Sequence, residues 1–207
     1  MIKRIAIFDF CGTLIKTQTG FEFFRFIYLK EVSIRFKLFY NLYRLLSKIS
    51  NDYDLQFFIL AKGVKGLSKE KIRNLSAGFF KEYLLRNQNS RLIKCLKEHQ
   101  RKGDIVIIAS GGFEEYIKEY ASYYGVDGFV ATRLQYANGK SNGKIFGQRC
   151  LGREKLRRLE DKVNFELFDT FMYTDDPEAD FFVLERVNKG YVFNHDEALL
   201  PYKINYG

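Results

Sequence analysis

Four sets of residues in this chain have types and spacing suited to one kind of reaction. Asp9 follows the apolar run Ile5-Ala6-Ile7-Phe8 and leads into the turn Phe10-Cys11-Gly12-Thr13. A carboxylate delivered at the end of a buried strand is placed to act as an oxygen nucleophile or a cation ligand. Ser110 ends a second apolar run, Ile105-Val106-Ile107-Ile108-Ala109, and is followed by Gly111-Gly112, where a hydroxyl and main-chain amides can hold an anion. Lys155 offers a fixed cation. Asp175, Asp176 and Asp180 follow the run Phe171-Met172-Tyr173-Thr174, and adjacent carboxylates there repel unless a cation lies among them. A nucleophile, anion donors, a cation and divalent-metal ligands are the parts of a phosphoryl-transfer site. Taken singly, each has an ordinary structural explanation: a turn for Asp9, an N-cap for Ser110, a solvated surface charge for Lys155. Their conjunction in chain order points to chemistry.

The elements that must position these residues alternate between short apolar runs and helical patterns. Residues 16 to about 87 read as helices, over Phe21 to Leu29, Val32 to Leu46 and Lys69 to Arg86, with capped breaks at Asn51-Asp52 and Gly66-Leu67-Ser68. A further helix spans Ser90 to Arg101 and ends near Gly103. Strands are expected at Asp104 to Ser110, near Phe129-Val130, at Phe171 to Thr174 and at Tyr191 to Phe193. Between them, helices are expected from Gly111-Gly112 to Tyr124, from near Gly152, and from the acidic cluster to about Val187. Residues 133–147, with Asn138-Gly139 and Asn142-Gly143, read as a hairpin or flap. Strands that are apolar on both faces and alternate with helices imply an α/β fold with a parallel sheet covered on both sides. Residues 1–15 and 88–207 form that core, and residues 16–87 form an all-helical insertion.

At 207 residues the chain is long enough for a sizeable core, and its 46% hydrophobic and 29% charged content is that of a globular protein. The net charge of +9 suits an anionic substrate, a nucleic acid or an anionic membrane surface, but no nucleic-acid motif accompanies it. Three scattered cysteines, Cys11, Cys95 and Cys150, suggest reduced thiols in a cytoplasmic protein. The first strand begins too close to Met1 for a signal peptide, and no apolar run is long enough to span a bilayer. His99 and His195 lack metal-ligand spacing: His99 reads as the end of a solvated helix and His195 as part of a terminal loop. Arg153 to Arg158 reads as a solvated helix face apart from Lys155. The oligomeric state is not legible.

With these residues in place, the chain resembles the haloacid dehalogenase-like phosphatases, in the phosphoserine-phosphatase-like branch that carries a helical cap. The resemblance covers nearly the whole chain. It includes Ala131-Thr132-Arg133-Leu134, Gly143, Gly147, Cys150, Gly152 and Glu154-Lys155, and in the cap Gly63 to Leu67, Phe79-Phe80 and Tyr83. It implies a Rossmann-like core in which Asp9 attacks phosphorus and becomes an aspartyl-phosphate. Mg2+ is then the implied cofactor, held by the Asp9 carboxylate, the main-chain carbonyl of Cys11 and Asp175, with Asp176 as the other candidate ligand. Ser110 and the Gly111 amide would bind phosphate oxygens with help from a helix N-terminus. Lys155 would neutralise charge, and Asp180 would support Lys155 or the metal ligands. Phe10, inside the first motif, joins the substrate-contacting set.

Cys11 departs from that family pattern, which has a second aspartate there. The aspartate protonates the leaving alcohol and later activates water, help worth about 10²–10⁴-fold; a thiol is a weaker donor. Three outcomes are open: a slower phosphatase, an enzyme for leaving groups that need little protonation, or a catalytically weak phosphate-binding relative. A phosphotransferase shares the first half-reaction. The family's amine-contacting carboxylate falls on Gln18 here, so Glu22, one helical turn later, is the nearest carboxylate for a substrate amine. The substrate expected is a small phosphomonoester: an amino-alcohol phosphate, a phosphosugar or a surface-polysaccharide precursor. Residues 21–60 hold twelve aromatic side chains, and Arg25, Lys30, Arg35, Lys37, Arg44 and Lys48 lie among them. The simple explanation is an aromatic bundle core with solvated faces. The alternative is an amphipathic surface that meets an anionic membrane and gives access to a lipid phosphate of the phosphatidylglycerophosphate kind.

Overall fold

The strand Arg4–Asp9 (β1) is buried along nearly its whole length. Its alternate side chains enter two different hydrophobic clusters: Ala6 and Phe8 in one, Ile5 and Ile7 in the other. Burial on both faces marks a central parallel strand. The computed structural model of the chain describes residues 3–30, 34–50, 52–193 and 199–202. His195, Val32 and Asn51 lie outside the described residues.

After β1 come four helices, Thr19–Lys30 (α1), Ile34–Leu46 (α2), Tyr53–Gly63 (α3) and Lys69–Glu82 (α4), and a 3-10 turn at Leu84–Arg86. The next elements are Ser90–Arg101 (α5), Ile105–Phe113 (β2), Glu114–Tyr124 (α6) and Gly128–Thr132 (β3). Leu134–Ala137 (β4) and Lys140–Ile145 (β5) form a separate hairpin, turning at Asn138-Gly139, where both φ angles are positive as the tight turn requires. Gly152–Glu160 (α7), Asp169–Thr174 (β6), Phe181–Leu184 (α8), Lys189–Phe193 (β7) and Leu199–Pro201 (β8) complete the fold.

The main sheet runs β3-β2-β1-β6-β7-β8, parallel except for the antiparallel β8. The chain adds β2 and β3 on one side of β1 and then β6 on the other. That reversal opens a crevice at the carboxyl ends of the central strands. Register brings three motifs level: Asp9 pairs with Ala109, next to Ser110, and Phe8 pairs with Tyr173, two residues before Asp175. Helices cover both faces, α5 and α6 on one, α7 and α8 on the other.

Polar caps set the helix starts. Asp52 accepts from the Leu55 amide at 2.9 Å, Ser68 from Lys71 at 3.1 Å, and Asn89 from Arg91 at 3.2 Å. The helices of residues 16–87 build no separate core. Phe57 of α3 stacks on Phe113 of β2 at 4.6 Å, and Phe23 of α1 meets Tyr116 of α6 at 5.1 Å, so one aromatic cluster runs from sheet to helical segment. α2 buries only Phe36 and Tyr40.

Several sequence expectations are corrected. No helix opens at Gly111-Gly112, because β2 continues through Phe113 past an irregularity after Ser110. The helix expected up to Val187 is the four-residue α8, and β8 is an additional edge strand. His99 is not solvated: it is buried on the sheet side of α5, with Nδ1 2.8 Å from Asp104 Oδ2 and Nε2 2.9 Å from the Tyr173 hydroxyl. Arg158 is buried as well; it donates to Glu154 at 2.7 Å and to the Gln148 carbonyl at 2.8 Å. Both ring nitrogens and the guanidinium find partners inside, which is what lets these polar groups leave water.

Candidate active site

Asp9 leaves β1 at the crevice and meets Lys155, which α7 carries in from the far side. Lys155 Nζ donates to Asp9 Oδ1 at 2.8 Å and also to Asp180 Oδ1. The second oxygen of Asp180 accepts from Thr174 Oγ1 at 2.8 Å. All three charged residues are buried. Burial opposes the charge on Lys155, but Asp180 and Asp9 outweigh it and raise its pKa, so the ammonium persists. Burial, with the nearby charges of Asp180 and Asp175, pushes Asp9 up to about 7 despite Lys155.

The turn after β1 is fastened to the end of β6. Thr13 Oγ1 donates to Asp175 Oδ1 at 2.8 Å and accepts from the Asp175 amide at 2.9 Å. Between them lies Gly12, at φ +81°, where a Cβ would fall 1.9 Å from Asp175 Oδ2. Only glycine suits both the backbone angle and the approach of the carboxylate. Burial raises the pKa of Asp175 too.

Cys11 sits in a row of hydroxyls. Its Sγ lies 2.9 Å from Thr19 Oγ1 and 3.7 Å from Ser110 Oγ, and Thr19 lies 2.8 Å from the Tyr116 hydroxyl. Burial and the charge of Asp9 push the thiol pKa up. Cys11 is therefore a neutral thiol, not a thiolate.

These groups surround a cavity of about 90 Å³, lined among others by Asp9, Cys11, Gln18, Gly111, Gly112, Lys155, Asp176 and Asp180. That space is large enough to take a phosphoryl group, and Phe57 and Arg149 border it as well. Ser110 and Asp175 stand one layer behind the lining, Ser110 accepting from the Gly112 amide at 2.9 Å. Asp176 Oδ1 accepts from the Ala179 amide at 3.0 Å. Two residues expected at the substrate do not line this cavity. The Phe10 side chain is buried against Tyr120 at 4.9 Å, and Glu22 lies outside the lining with Arg25 3.4 Å away. Sequence reasoning missed Thr19, Tyr116, Phe57 and Arg149. Only Phe57 had drawn notice, as one of the many aromatics, and an isolated arginine among glycines carries no periodic signal.

The donor set suits a hard divalent cation such as Mg2+. The Lys155 ammonium is shared by the Asp9 and Asp180 carboxylates, in a place where burial already disfavours the charge on Asp9. Asp175 is among the charges acting on Asp9. Both oxygens of Asp180 already have partners. Among the described residues no group of three or more His, Cys, Asp or Glu side chains is placed to hold a metal ion, so an ion held by fewer carboxylates would need main-chain and water oxygens to complete its coordination.

A parallel sheet with helices on both faces and a buried Asp–Lys–Asp bridge at the strand ends defines an α/β enzyme of the Rossmann-like kind. Residues 6–185 match the haloacid dehalogenase-like hydrolase family, and the chain belongs to that family. Its fold is similar to that of a protein of unknown function from Bordetella pertussis Tohama I (TM-score 0.79, 16% identity, 92% of this chain and 89% of that one). It is also similar to a phosphoserine phosphatase in apo form (0.64, 21%, 91% and 84%). A phosphoserine phosphohydrolase-like protein from Francisella tularensis is a third such structure (0.62, 16%, 91% and 85%). No curated protein matches the chain in sequence.

Proposed function

We propose that this hydrolase is a Mg2+-dependent phosphatase for small phosphomonoesters, with Asp9 as nucleophile. The observation that carries the reading is the Lys155 bridge, which fixes Asp9 at the wall of the cavity. An Asp9 oxygen forms a bond to phosphorus while the ester P–O bond breaks, giving an aspartyl-phosphate and an alkoxide that takes a proton from the Cys11 thiol or from a water in the cavity. Water then attacks phosphorus and releases phosphate, restoring Asp9. Lys155 holds Asp9 in line and balances charge on the phosphoryl oxygens, and the Gly111 and Gly112 main chain borders them. Asp9, Asp175 and the Cys11 carbonyl would hold Mg2+, which supplies charge neutralisation for attack of a carboxylate on a phosphate dianion. Asp180 keeps Lys155 charged and oriented. Cys11 occupies the acid position as a neutral thiol, which supports slow turnover of poor leaving groups. The test is phosphate release from a panel of small phosphomonoesters with Mg2+. Asp9→Asn should lower kcat at least about 10³-fold; equal release by the variant removes Asp9 as nucleophile.

A second reading, a lipid phosphate as substrate, is favoured by α2 and the turn after it. Ile34, Leu38, Leu42, Leu45 and Ile49 recur at helical spacing and are 77%, 65%, 43%, 60% and 74% exposed. Arg35, Lys37, Arg44 and Lys48 flank the row, with no carboxylate between 34 and 49. An apolar row edged by cations suits an anionic bilayer surface. No described helix is long and apolar enough to cross a membrane. Vesicles containing phosphatidylglycerol should co-sediment the protein, and Leu38→Asp with Leu42→Asp should abolish this. Binding unchanged by the double variant excludes α2 as the contact.

A further inference from the structure

We propose that Arg149 forms a second anion subsite, so that the preferred substrate carries a carboxylate or second phosphate beside the phosphoryl group it loses. The proposal rests on the phosphatase reading for its substrate and on separate residues for its geometry. Arg149 lines the same cavity as Asp9 and Lys155. Lys155 is held between two carboxylates, whereas among the described residues Arg149 pairs with one, that of Asp54 of α3, which is 70% exposed. The guanidinium carbon lies over the Phe57 ring, 4.1 Å from its centroid. Its Nε is buried and has no hydrogen-bond partner among the described residues. An arginine that lines the cavity with one arm on a solvated carboxylate can turn that arm to an oxyanion of the substrate. Exchange of Asp54 for a substrate anion gives up only a rim ion pair.

The loop that carries Arg149 is anchored on both sides. The Gln148 carbonyl accepts from Arg158 at 2.8 Å, and the Cys150 amide donates to Thr132 Oγ1 at 3.0 Å. Thr132 in turn donates to the Gly111 carbonyl at 2.8 Å, so the subsite is tied to the phosphoryl-binding loop. The α1 side of the cavity offers the neutral Gln18, and Glu22 lies outside it.

Binding of three phosphonates, measured by calorimetry with Mg2+ present, tests the subsite without turnover. Phosphonoacetate should bind at least about 10-fold tighter than methylphosphonate, the worth of one charged hydrogen bond, and 2-aminoethylphosphonate should gain nothing. Arg149→Gln should bring the phosphonoacetate to methylphosphonate ratio near one, and Arg149→Lys should give an intermediate ratio. Asp54→Asn, which removes the competing carboxylate, should raise the ratio. A purely structural latch would instead lose thermal stability in Asp54→Asn with no change of ratio. A wild-type ratio near one, or a ratio that survives Arg149→Gln, overturns the subsite; if that variant does not fold, the Asp54→Asn ratio decides. Phosphate release from phosphoglycolate and ethanolamine phosphate is read in parallel. A retained phosphonoacetate preference with no release from any ester supports the subsite and overturns the phosphatase reading.

Discussion

Cys11 is the residue where this chain asks the most of its chemistry. Its neighbours are hydroxyls and the Asp9 carboxylate, and burial keeps its proton on. Cys11→Asp should raise kcat for alkyl phosphates about 10²-fold and leave p-nitrophenyl phosphate, with its better leaving group, much less changed. Equal gains on both, or none, would show that the acid position does not limit the rate. Gly12 makes the opposite demand, tolerating nothing larger. Gly12→Ala should displace Asp175, since the new Cβ would lie 1.9 Å from its carboxylate oxygen. The expected result is a lower Tm together with loss of the Mg2+-induced rise in Tm; a variant still stabilised by Mg2+ would separate Asp175 from the metal site. At this scale much was legible. Asp9 and the acidic cluster are readable because charged residues beside apolar runs are conspicuous, and Lys155 only through its conjunction with them. Thr19 and Arg149 are not, because only spatial neighbours give them a role.

At the scale of elements, α7 does two jobs through adjacent residues. Lys155 points into the site, while Glu154 ties Arg158 into the loop that carries Arg149. Arg157 and Arg158 hold the Glu154 carboxyl at about 2, below its ordinary 4.5, chiefly through hydrogen bonds from Arg157. A lowered folded-state pKa contributes stability that is present above about pH 4.5 and is lost as pH falls toward 2. Glu154→Gln should therefore lower Tm near neutral pH, with the difference from wild type shrinking below pH 4.5. A difference independent of pH would assign the loss to packing rather than charge. Register matters as much as residue type here. Helix and strand patterns were readable from apolar spacing, and Asp52, Ser68 and Asn89 cap where a polar residue precedes a periodic run. The extension of β2 through Gly111-Gly112 was not readable, because two glycines fit a bulged strand and a helix start equally well.

For the whole molecule, one aromatic cluster joins the helical segment to the sheet, and Phe57 lies at its centre, between Phe113 and Arg149. The segment that closes the cavity thus shares hydrophobic contacts with the floor beneath it.

The sequence by itself determined the α/β alternation, the order of the motifs and the departure at Cys11, because period and local chemistry are properties of neighbours along the chain. Tertiary structure decided which polar residues are buried. His99 and Arg158 look like surface groups until partners from other elements enclose them. It also decided which side chains share the cavity: Phe10 and Glu22 turn away, and Arg149 turns in. Such choices depend on where distant segments dock, and that information is distributed over the whole packed core rather than held in any one stretch of chain.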